Sequence, residues 1–592
     1  MPTLPAFFRE ALAEPRPNAF ADRVDGVWRS LGSAEMLERA DDLVVALREI
    51  QGLEPGDRVA IIAENSVDWL AVDFAILGAG LVVVPIFATQ AFDQVSYILG
   101  HSEAKLIFAD RESLIERLRA EIPGVAPIVA MKGRGVGTLS EFEGAGRDRR
   151  KVANIDARAY AESIDPNAMA VLIYTSGTTG SPKGVMLSHE NITANVTASF
   201  SYGFGEIRQG EPVLSLLPFS HIYEHHIVYG YLLARVSVYV CHAADELLAD
   251  LRDVRPVFMT AVPRIFERVL AGIVTMAKNE GGLKARLVPW ALRVGRDYMR
   301  AVHLGPPPSL GLRTQFALAH TLVLRKLRPL LGLDRLRFFC SGSAPLHLDI
   351  SYTLLAADIE ILEGYGPTEC SPVVTENRHD INHIGTVGKP LPNLDLRIAE
   401  DGEILVRGPN VMLGYYRDPE ATAAALEGGW YHTGDIGEID AEGYVRITDR
   451  KKEVFKTSTG KFVAPSRVEA AIKRSIYISQ AIVVGNGRSH PAALIAPNWE
   501  LVRKELGIQD GVASDAMAKR EDVCAFVVSE VVSHTADLAK FEQIRHVALL
   551  PRDLTIEDGE LSPTLKVRRR IVEHRYAELI DQAYGDPLTA PA

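Results

Sequence analysis

The chain has 592 residues, of which 47% are hydrophobic and 24% charged, and its formal net charge at pH 7 is −12. The length predicts at least two domains, and the composition excludes a fibrous or disordered protein. The negative charge argues against binding nucleic acid over the whole surface, so no nucleic-acid partner is expected. The four cysteines lie far apart without a Cys-x-x-Cys pair, which fits a reducing cytosol and argues against a disulfide or metal framework.

The first part of the chain alternates strand-like and helix-like runs. Residues 58–62 and 81–85 predict buried strands, and residues 66–77 predict a helix that begins at the N-cap Ser66 and stops at Gly78. This alternation predicts a mostly parallel sheet with helices on both faces. The N-terminus lacks the pattern of a signal peptide, and Asp73, glycines and a proline interrupt the apolar stretch around 69–87, so no membrane span is expected. The polar, glycine-containing segment 131–165 is interpreted as a surface excursion before the next strand.

A segment rich in glycine and hydroxyl side chains runs from Tyr174 to Gly184, directly after an apolar strand-like run. Glycines let such a loop turn its backbone N–H groups toward a phosphate, and hydroxyls and an ammonium add donors. The order of residues differs from a Walker A loop, because Pro182 stands between the loop glycines and the lysine. A flexible linker is the alternative, but linkers seldom follow a buried strand directly. The candidate phosphate ligands are Thr175, Ser176, Gly177, Thr178, Thr179, Gly180 and Lys183.

Residues 213–221 are predicted to form a strand that ends in a turn, and three histidines stand at or just after its end. His221 stands just past the predicted strand end, where parallel sheets usually bind ligands. His225 and His226 suggest a zinc cluster, but the spacing fits no defined motif and no carboxylate or cysteine pattern completes it. We interpret His225 and His226 as structural.

Two later turns are suited to a nucleotide. Residues 338–345 form a strand entering a turn of small residues, Gly342, Ser343 and Ala344, which would let a purine or an acyl chain approach the backbone. In residues 361–369, Tyr365 stands beside Gly366 and can present its ring to a base. Thr368 and Glu369 then offer a hydroxyl and a hard carboxylate oxygen of the kind that Mg²⁺ prefers. An ordinary turn containing tyrosine is the alternative.

A Thr-Gly-Asp turn at residues 433–435 offers a carboxylate, Asp435, that can accept hydrogen bonds from both hydroxyls of a ribose. Taken in order, these segments resemble the AMP-forming adenylate enzymes, which include acyl- and aryl-CoA synthetases, firefly luciferase and peptide-synthetase adenylation domains. The resemblance covers nearly the whole chain and is strongest with the long-chain fatty-acid–CoA ligase branch.

The resemblance implies roles for individual residues. Tyr365 would stack on adenine, Glu369 would hold magnesium, and His221 would lie beside the acyl and pantetheine passages. Arg450 would be a second contact to the ribose and phosphate, and Lys452 would be the hinge. Gly460 would belong to the loop that lines the pantetheine tunnel, and Lys566 would be the adenylation lysine.

The resemblance also implies a fold and a reaction. We expect an α/β protein with a large N-terminal AMP- and acyl-binding domain (1–451) and a small mobile C-terminal α/β domain (452–592). The expected activity joins a long-chain fatty acid to coenzyme A with ATP and Mg²⁺, through an acyl-AMP intermediate that releases pyrophosphate and then AMP. A helical insertion at 265–335 and the step at 262–266 favour a long-chain substrate. The alternatives are a fatty acyl-AMP ligase that loads a carrier protein, and a non-catalytic lipid- or nucleotide-binding descendant of the fold.

Residues 324–337 alternate leucine with arginine and lysine. We interpret them as a solvated basic face over core leucines, and a membrane-surface patch is the alternative. We expect a cytoplasmic protein, with weak peripheral contact at the inner face of the membrane left open. The oligomeric state is also left open.

Overall fold

The fold is built on two large β-sheets that share one buried apolar core. A computed structural model describes residues 2–133, 135–175, 182–203, 207–243, 245–451, 453–509, 511–562 and 566–585. Most strands of both sheets run parallel, and helices cover them. The predicted α/β class is confirmed.

The first sheet has seven strands and carries the predicted strands near residues 60 and 83. Its central strands pair in parallel, and the strands Met169–Thr175 and Lys183–Ser188 form an antiparallel hairpin. In spatial order the strands are Gly414–Tyr415, Lys183–Ser188, Met169–Thr175, Val82–Phe87, Arg58–Ala63, Leu106–Ala109 and Ile128–Ala130.

The second sheet has nine strands, and the six in its middle run parallel. Their carboxyl ends therefore meet at one edge, where parallel sheets bind ligands. In spatial order the strands are Lys389–Pro390, Thr375–Glu376, Ile361–Tyr365, Phe338–Ser341, Phe258–Ala261, Pro212–Ser215, Ser237–Val240, Phe20–Val24 and Val27–Leu31.

The helix predicted at 66–77 spans Val67–Gly78, and the hydroxyl of Ser66 accepts the amide of Trp69 at 3.1 Å. The helices of the N-terminal part cover the sheets on both sides. They are Leu4–Ala13, Ser33–Val45, Val67–Gly78, Phe92–Ser102, Glu112–Glu121, Leu139–Ala153, Arg158–Glu162, His189–Gly203, Ile222–Leu233, Leu247–Val254, Leu348–Leu355 and Pro419–Ala425.

The surface excursion expected at 131–165 contains a helix, Leu139–Ala153, in its middle. Leu139 and Phe142 are buried, and the helix packs against Ser33–Val45. A Cβ atom at Gly146 would stand 2.0 Å from the carbonyl oxygen of Asp42, so this close packing requires glycine. The helix was not predicted because its exposed residues are mostly polar.

The predicted helical insertion is present as Pro263–Glu280, Lys284–Leu304, Leu310–Leu322 and Leu327–Leu330. Leucines of the segment 324–337 lie in the core, as a solvated basic face requires. Those buried there are Leu324, Leu327, Leu331, Leu333 and Leu336. In the described residues, none of the helices has both the length and the apolar character needed to cross a bilayer.

A four-stranded antiparallel sheet adjoins the two large ones, with strands Asp395–Ile398, Glu403–Arg407, Tyr431–Ile439 and Val445–Arg450. The chain after residue 454 builds apolar clusters of its own. Its sheet contains Ile478–Val484, Ala492–Pro497 and His546–Leu549, and a small hairpin pairs Phe455–Lys456 with Phe462–Val463. Its helices are Pro465–Ile472, Trp499–Glu505, Ser514–Met517, Glu521–Thr535, Arg569–Arg575 and Ala577–Gly585.

Candidate active site

Two paired antiparallel strands flank the predicted phosphate loop. Strand Met169–Thr175 pairs with Lys183–Ser188, and Thr175 stands directly opposite Lys183. The ammonium of Lys183 lies 3.5 Å from a carboxylate oxygen of Asp418 and 4.9 Å from the ring centre of Tyr415. The candidates Ser176, Gly177, Thr178, Thr179 and Gly180 lie outside the described residues. The hairpin thus fixes a partly exposed lysine at the base of the loop.

Glu369 and Lys183 both contact the side chain of Tyr415. The hydroxyl of Tyr415 donates to Oε1 of Glu369 at 2.8 Å, while its ring faces Lys183. Glu369 sits in the short turn Thr368–Cys370, whose backbone is tied down because the Glu369 carbonyl accepts the amide of Met412 at 2.8 Å. Tyr415 therefore links the proposed phosphate lysine to the proposed magnesium ligand.

Asp435 joins two of the predicted nucleoside ligands. The hydroxyl of Tyr365 donates to one of its oxygens at 2.6 Å, and Nε of Arg450 donates to the other at 3.0 Å. Strand pairing explains the second contact, since Asp435 stands opposite Arg450 in neighbouring strands. Each carboxylate oxygen keeps a further lone pair, so Asp435 can still accept ribose hydroxyls.

Small residues are required at two places around this cluster. A Cβ atom at Gly366 would stand 1.6 Å from the carbonyl oxygen of Pro372, and one at Gly342 would stand 3.3 Å from the ring of Tyr223. Ser343 has a left-handed φ of 69°, and Ala344 follows it. The backbone of Pro372 thus fills the Cβ position of Gly366, and the ring of Tyr223 faces that of Gly342, so both glycines allow close packing of protein groups around the site.

Lys566 lies in the electrostatic environment of the nucleoside ligands. The surrounding protein desolvates its ammonium and lowers its pKa to about 8. Arg450 lowers the pKa further, whereas Asp435 and Glu369 raise it. The side chain keeps contact with solvent, as expected in an open cleft. The structure thereby brings the predicted adenylation lysine to the predicted nucleotide site.

His221 is the N-cap of helix Ile222–Leu233, and its Nδ1 accepts the amide of Tyr223 at 3.1 Å. The strand before it is Pro212–Ser215, and a turn follows it, as predicted for residues 213–221. Burial, together with the charge of Lys566, lowers the pKa of His221 to about 3. His221 is therefore neutral and lies near the catalytic lysine candidate.

Gly460 makes its contacts within the C-terminal part. It occupies the turn of the hairpin Phe455–Lys456 and Phe462–Val463, with φ at 83°, and that turn is hydrogen-bonded to Arg488 of the same C-terminal unit. The hinge candidate Lys452 lies outside the described residues.

The histidines next to His221 are structural in their contacts. His225 lies 3.1 Å from Asp73, which also accepts the hydroxyl of Tyr229 at 2.7 Å. His226 is fully buried. Across the part of the chain that the structure describes, no group of three or more potential metal ligands is found.

Tyr415, Asp418 and Tyr223 were missed by the sequence reasoning. Asp418 is the N-cap of helix Pro419–Ala425 and a partner of Lys183. A signal for this pair was present, because Asp-Pro marks a helix start two residues after a Gly-Tyr-Tyr run. Nothing in the sequence, however, pairs that run with the phosphate hairpin.

The fold and the candidate site fit an α/β nucleotide-dependent enzyme, with a candidate phosphate hairpin, a candidate nucleoside-binding carboxylate and a candidate catalytic lysine in the C-terminal part. The sequence model of the AMP-binding enzyme family matches residues 7–416, and that of the AMP-binding enzyme C-terminal domain matches residues 452–587. The chain belongs to the AMP-binding enzyme family. The predicted resemblance is thus confirmed.

Named relatives and solved structures agree with this assignment. The long-chain-fatty-acid–CoA ligase FadD15 of Mycobacterium bovis is 36% identical, over 95% of this chain and 93% of its own length. The peroxisomal long chain acyl-CoA synthetase 6 of Arabidopsis thaliana is 31% identical, over 90% and 79% of the two chains. ATP-bound MatB from Rhodopseudomonas palustris shares the fold with a TM-score of 0.70 at 22% identity, covering 97% of this chain and 99% of its own.

Proposed function

We propose that this protein ligates a long-chain fatty acid to coenzyme A at the expense of ATP, through an acyl-AMP intermediate. The observation that carries the proposal is the position of Lys566, whose pKa responds to Asp435, Glu369 and Arg450 from another part of the chain. The names of the relatives that match over most of the chain support the choice of acid and thiol.

In the first half-reaction a carboxylate oxygen of the fatty acid attacks the α-phosphorus of ATP, and the bond to pyrophosphate breaks. All the reacting groups are negative, so the protein must position them and spread their charge. Lys566 would bridge the carboxylate and the α-phosphate, and Lys183 would hold the outer phosphates. Asp435 and Tyr365 would fix the nucleoside. No protein nucleophile is required.

A magnesium ion fits the donors present. Glu369 offers one hard oxygen beside the phosphate hairpin, and Mg²⁺ usually combines one or two carboxylates with substrate phosphates and water. The ion would neutralise phosphate charge when bound. Because Tyr415 donates to Oε1 of Glu369, the carboxylate is held in one orientation toward the hairpin.

In the second half-reaction the thiol of coenzyme A attacks the acyl carbonyl, and AMP leaves. We place the domain boundary between residues 451 and 452, with Lys452 as the hinge. Rotation about it would withdraw Lys566 and deliver Gly460. The hairpin that carries Gly460 makes its backbone contacts within the C-terminal part, to Arg488, which supports a division of the cycle between two poses.

The acceptor is tested by an AMP-release assay across fatty acids of different lengths, with and without coenzyme A. We expect AMP release that depends on both a long-chain acid and coenzyme A. Release of pyrophosphate with retention of acyl-AMP would favour a ligase that loads a carrier protein. ATP binding without pyrophosphate release would favour a non-catalytic descendant.

The helical insertion would contact the inner face of the cytoplasmic membrane weakly. Its helices expose leucines beside basic residues, and the fractional exposure is 76% for Leu283, 81% for Leu310 and 55% for Leu318. Such a face suits an anionic lipid surface. Sedimentation with phosphatidylglycerol vesicles should exceed that with phosphatidylcholine vesicles, and Leu310→Glu should reduce it. Equal sedimentation with both lipids would contradict the contact.

A further inference from the structure

The helix Ile222–Leu233 begins inside the candidate active site, and its first turn carries more than His221. Because Nδ1 of His221 accepts the amide of Tyr223, the proton of the neutral ring resides on Nε2. His221 can therefore offer an uncharged N–H group but cannot act as a base through Nδ1. Its usefulness depends on where the first turn stands.

Glu224, in the same turn, bonds to the sheet. Its Oε2 accepts the hydroxyl of Thr260 at 2.6 Å, and its Oε1 accepts the hydroxyl of Ser215. Ser215 and Thr260 belong to neighbouring parallel strands at the edge that binds ligands, since Leu214 pairs with Met259. One carboxyl group thus joins the first turn of the helix to two adjacent strands.

This arrangement is unusual for its position. A glutamate three residues after an N-cap commonly reaches back to the backbone of the cap. Glu224 instead points into the protein and is fully buried, with hydroxyl partners only and no cation paired to it among the described residues. Burial raises its pKa to about 7, although the two hydroxyls oppose the shift. Burying a carboxyl in this way is costly, so a hydrophobic residue would be the simpler choice for a core.

The opposite side of the turn leaves little tolerance. A Cβ atom at Gly342 would be 3.3 Å from the ring of Tyr223, so that ring lies against the small-residue turn. A rotation of the helix start would push Tyr223 into the turn or move His221 away from Lys566. The bonds of Glu224 prevent such a rotation.

We infer that Glu224 is a positioning residue for the first half-reaction, which clamps the helix start so that the N–H group of His221 stays beside the reacting carboxylate and Lys566. The inference rests on the proposed function. It predicts that Glu224 acts on the rate of adenylate formation rather than on the affinity for ATP.

The test compares Glu224→Ala, Glu224→Gln and Thr260→Val in the full-length protein. Pyrophosphate release with palmitate and ATP gives kcat, calorimetry gives the Kd of ATP, and active-site titration corrects for the folded fraction. Misplacement of a catalytic group by about 1 Å costs up to roughly 10²-fold in rate, so we expect Glu224→Ala to lower kcat about 10- to 100-fold. The Kd of ATP should stay within about twofold, because the nucleoside ligands are untouched. Glu224→Gln keeps the shape and most hydrogen bonds, and should recover most of the rate.

A wild-type rate in Glu224→Ala would overturn the inference, as would a loss of rate matched by an equal loss of ATP affinity. If Glu224→Ala does not fold, Thr260→Val provides the test, because it removes one hydroxyl partner of Glu224 at nearly constant shape. A reduced kcat in Thr260→Val supports the proposed role of Glu224, and an unchanged kcat overturns it. Absence of palmitate-dependent pyrophosphate release in the wild-type protein would instead refute the proposed function.

Discussion

Replacing Lys566 with Ala should separate the two half-reactions. With a pKa of about 8, about nine-tenths of the Lys566 ammonium is protonated at pH 7. Nearly every molecule therefore loses a positive charge in the variant. Loss of one charged donor to the transition state costs on the order of 10²- to 10³-fold in rate, or about 3–4 kcal/mol. Adenylate formation should fall by that factor at pH 7.

The effect should shrink as the pH rises. The pKa of Lys566 is lowered, so its charged form is lost as the pH passes about 8. At pH 9 only about one-tenth of the wild-type lysine is protonated, and the ratio of wild-type to variant kcat/KM should fall about tenfold from its value at pH 7. The parameter kcat/KM is the right one, because it reports the free enzyme, in which no polyphosphate raises the pKa.

The assay measures pyrophosphate release at low ATP for the first half-reaction, and acyl-CoA formation from supplied acyl-AMP for the second. Lys566→Ala should largely spare the second, since the lysine is not needed there. Lys540→Ala, a change at an exposed lysine of the same C-terminal part, serves as the matched control and should affect neither. Equal losses in both half-reactions, or a ratio that does not vary between pH 7 and 9, would refute the role given to Lys566.

Three further changes test other parts of the site. Tyr415→Phe removes the hydrogen bond to Glu369, and hydrogen bonds to charged groups contribute about 1.5–3 kcal/mol. The Kd of ATP with Mg²⁺, measured by calorimetry, should therefore rise about tenfold or more, and an unchanged Kd would contradict a role of Tyr415 in holding Glu369. Gly366→Ala places a methyl group 1.6 Å from the carbonyl oxygen of Pro372, so the turn must move, and both Tm and ATP affinity should fall; a wild-type Tm would show that the turn can adapt. Lys452→Pro should stiffen the hinge, leaving pyrophosphate release intact while slowing acyl-CoA formation, and normal overall turnover would remove the hinge assignment.

The sequence predicted those parts of the fold whose signal is local. The strand Arg58–Ala63 and the helix Val67–Gly78 follow from an apolar run and an N-cap serine, and both are found within one or two residues of their predicted ends. Residues 213–221 were predicted as a strand that ends in a turn, and the structure has the strand Pro212–Ser215 followed by a turn into the N-cap His221. The sequence did not indicate where within this segment the strand ends.

Contacts between distant parts of the chain could not be predicted. Tyr415 reaches Glu369, which is 46 residues away, and Glu224 reaches Thr260, which is 36 residues away. The residues around Tyr415 and Glu224 in the sequence do not indicate which distant side chain each one contacts. Only the strand order, which pairs Gly414–Tyr415 with the phosphate hairpin, brings these groups together.

The pair of His221 and Lys566 shows why the site needs both a charged and a neutral donor. Two cations side by side would repel each other, and the charge of Lys566 is one cause of the low pKa of His221. Between a pKa of about 3 for His221 and about 8 for Lys566, the pair carries a single positive charge. That charge can attract the fatty carboxylate and the α-phosphate together, while the imidazole adds a hydrogen bond without a second charge to desolvate. The charge of the pair is lost as the pH rises through about 8, which is why the contribution of Lys566 should decrease between pH 7 and pH 9.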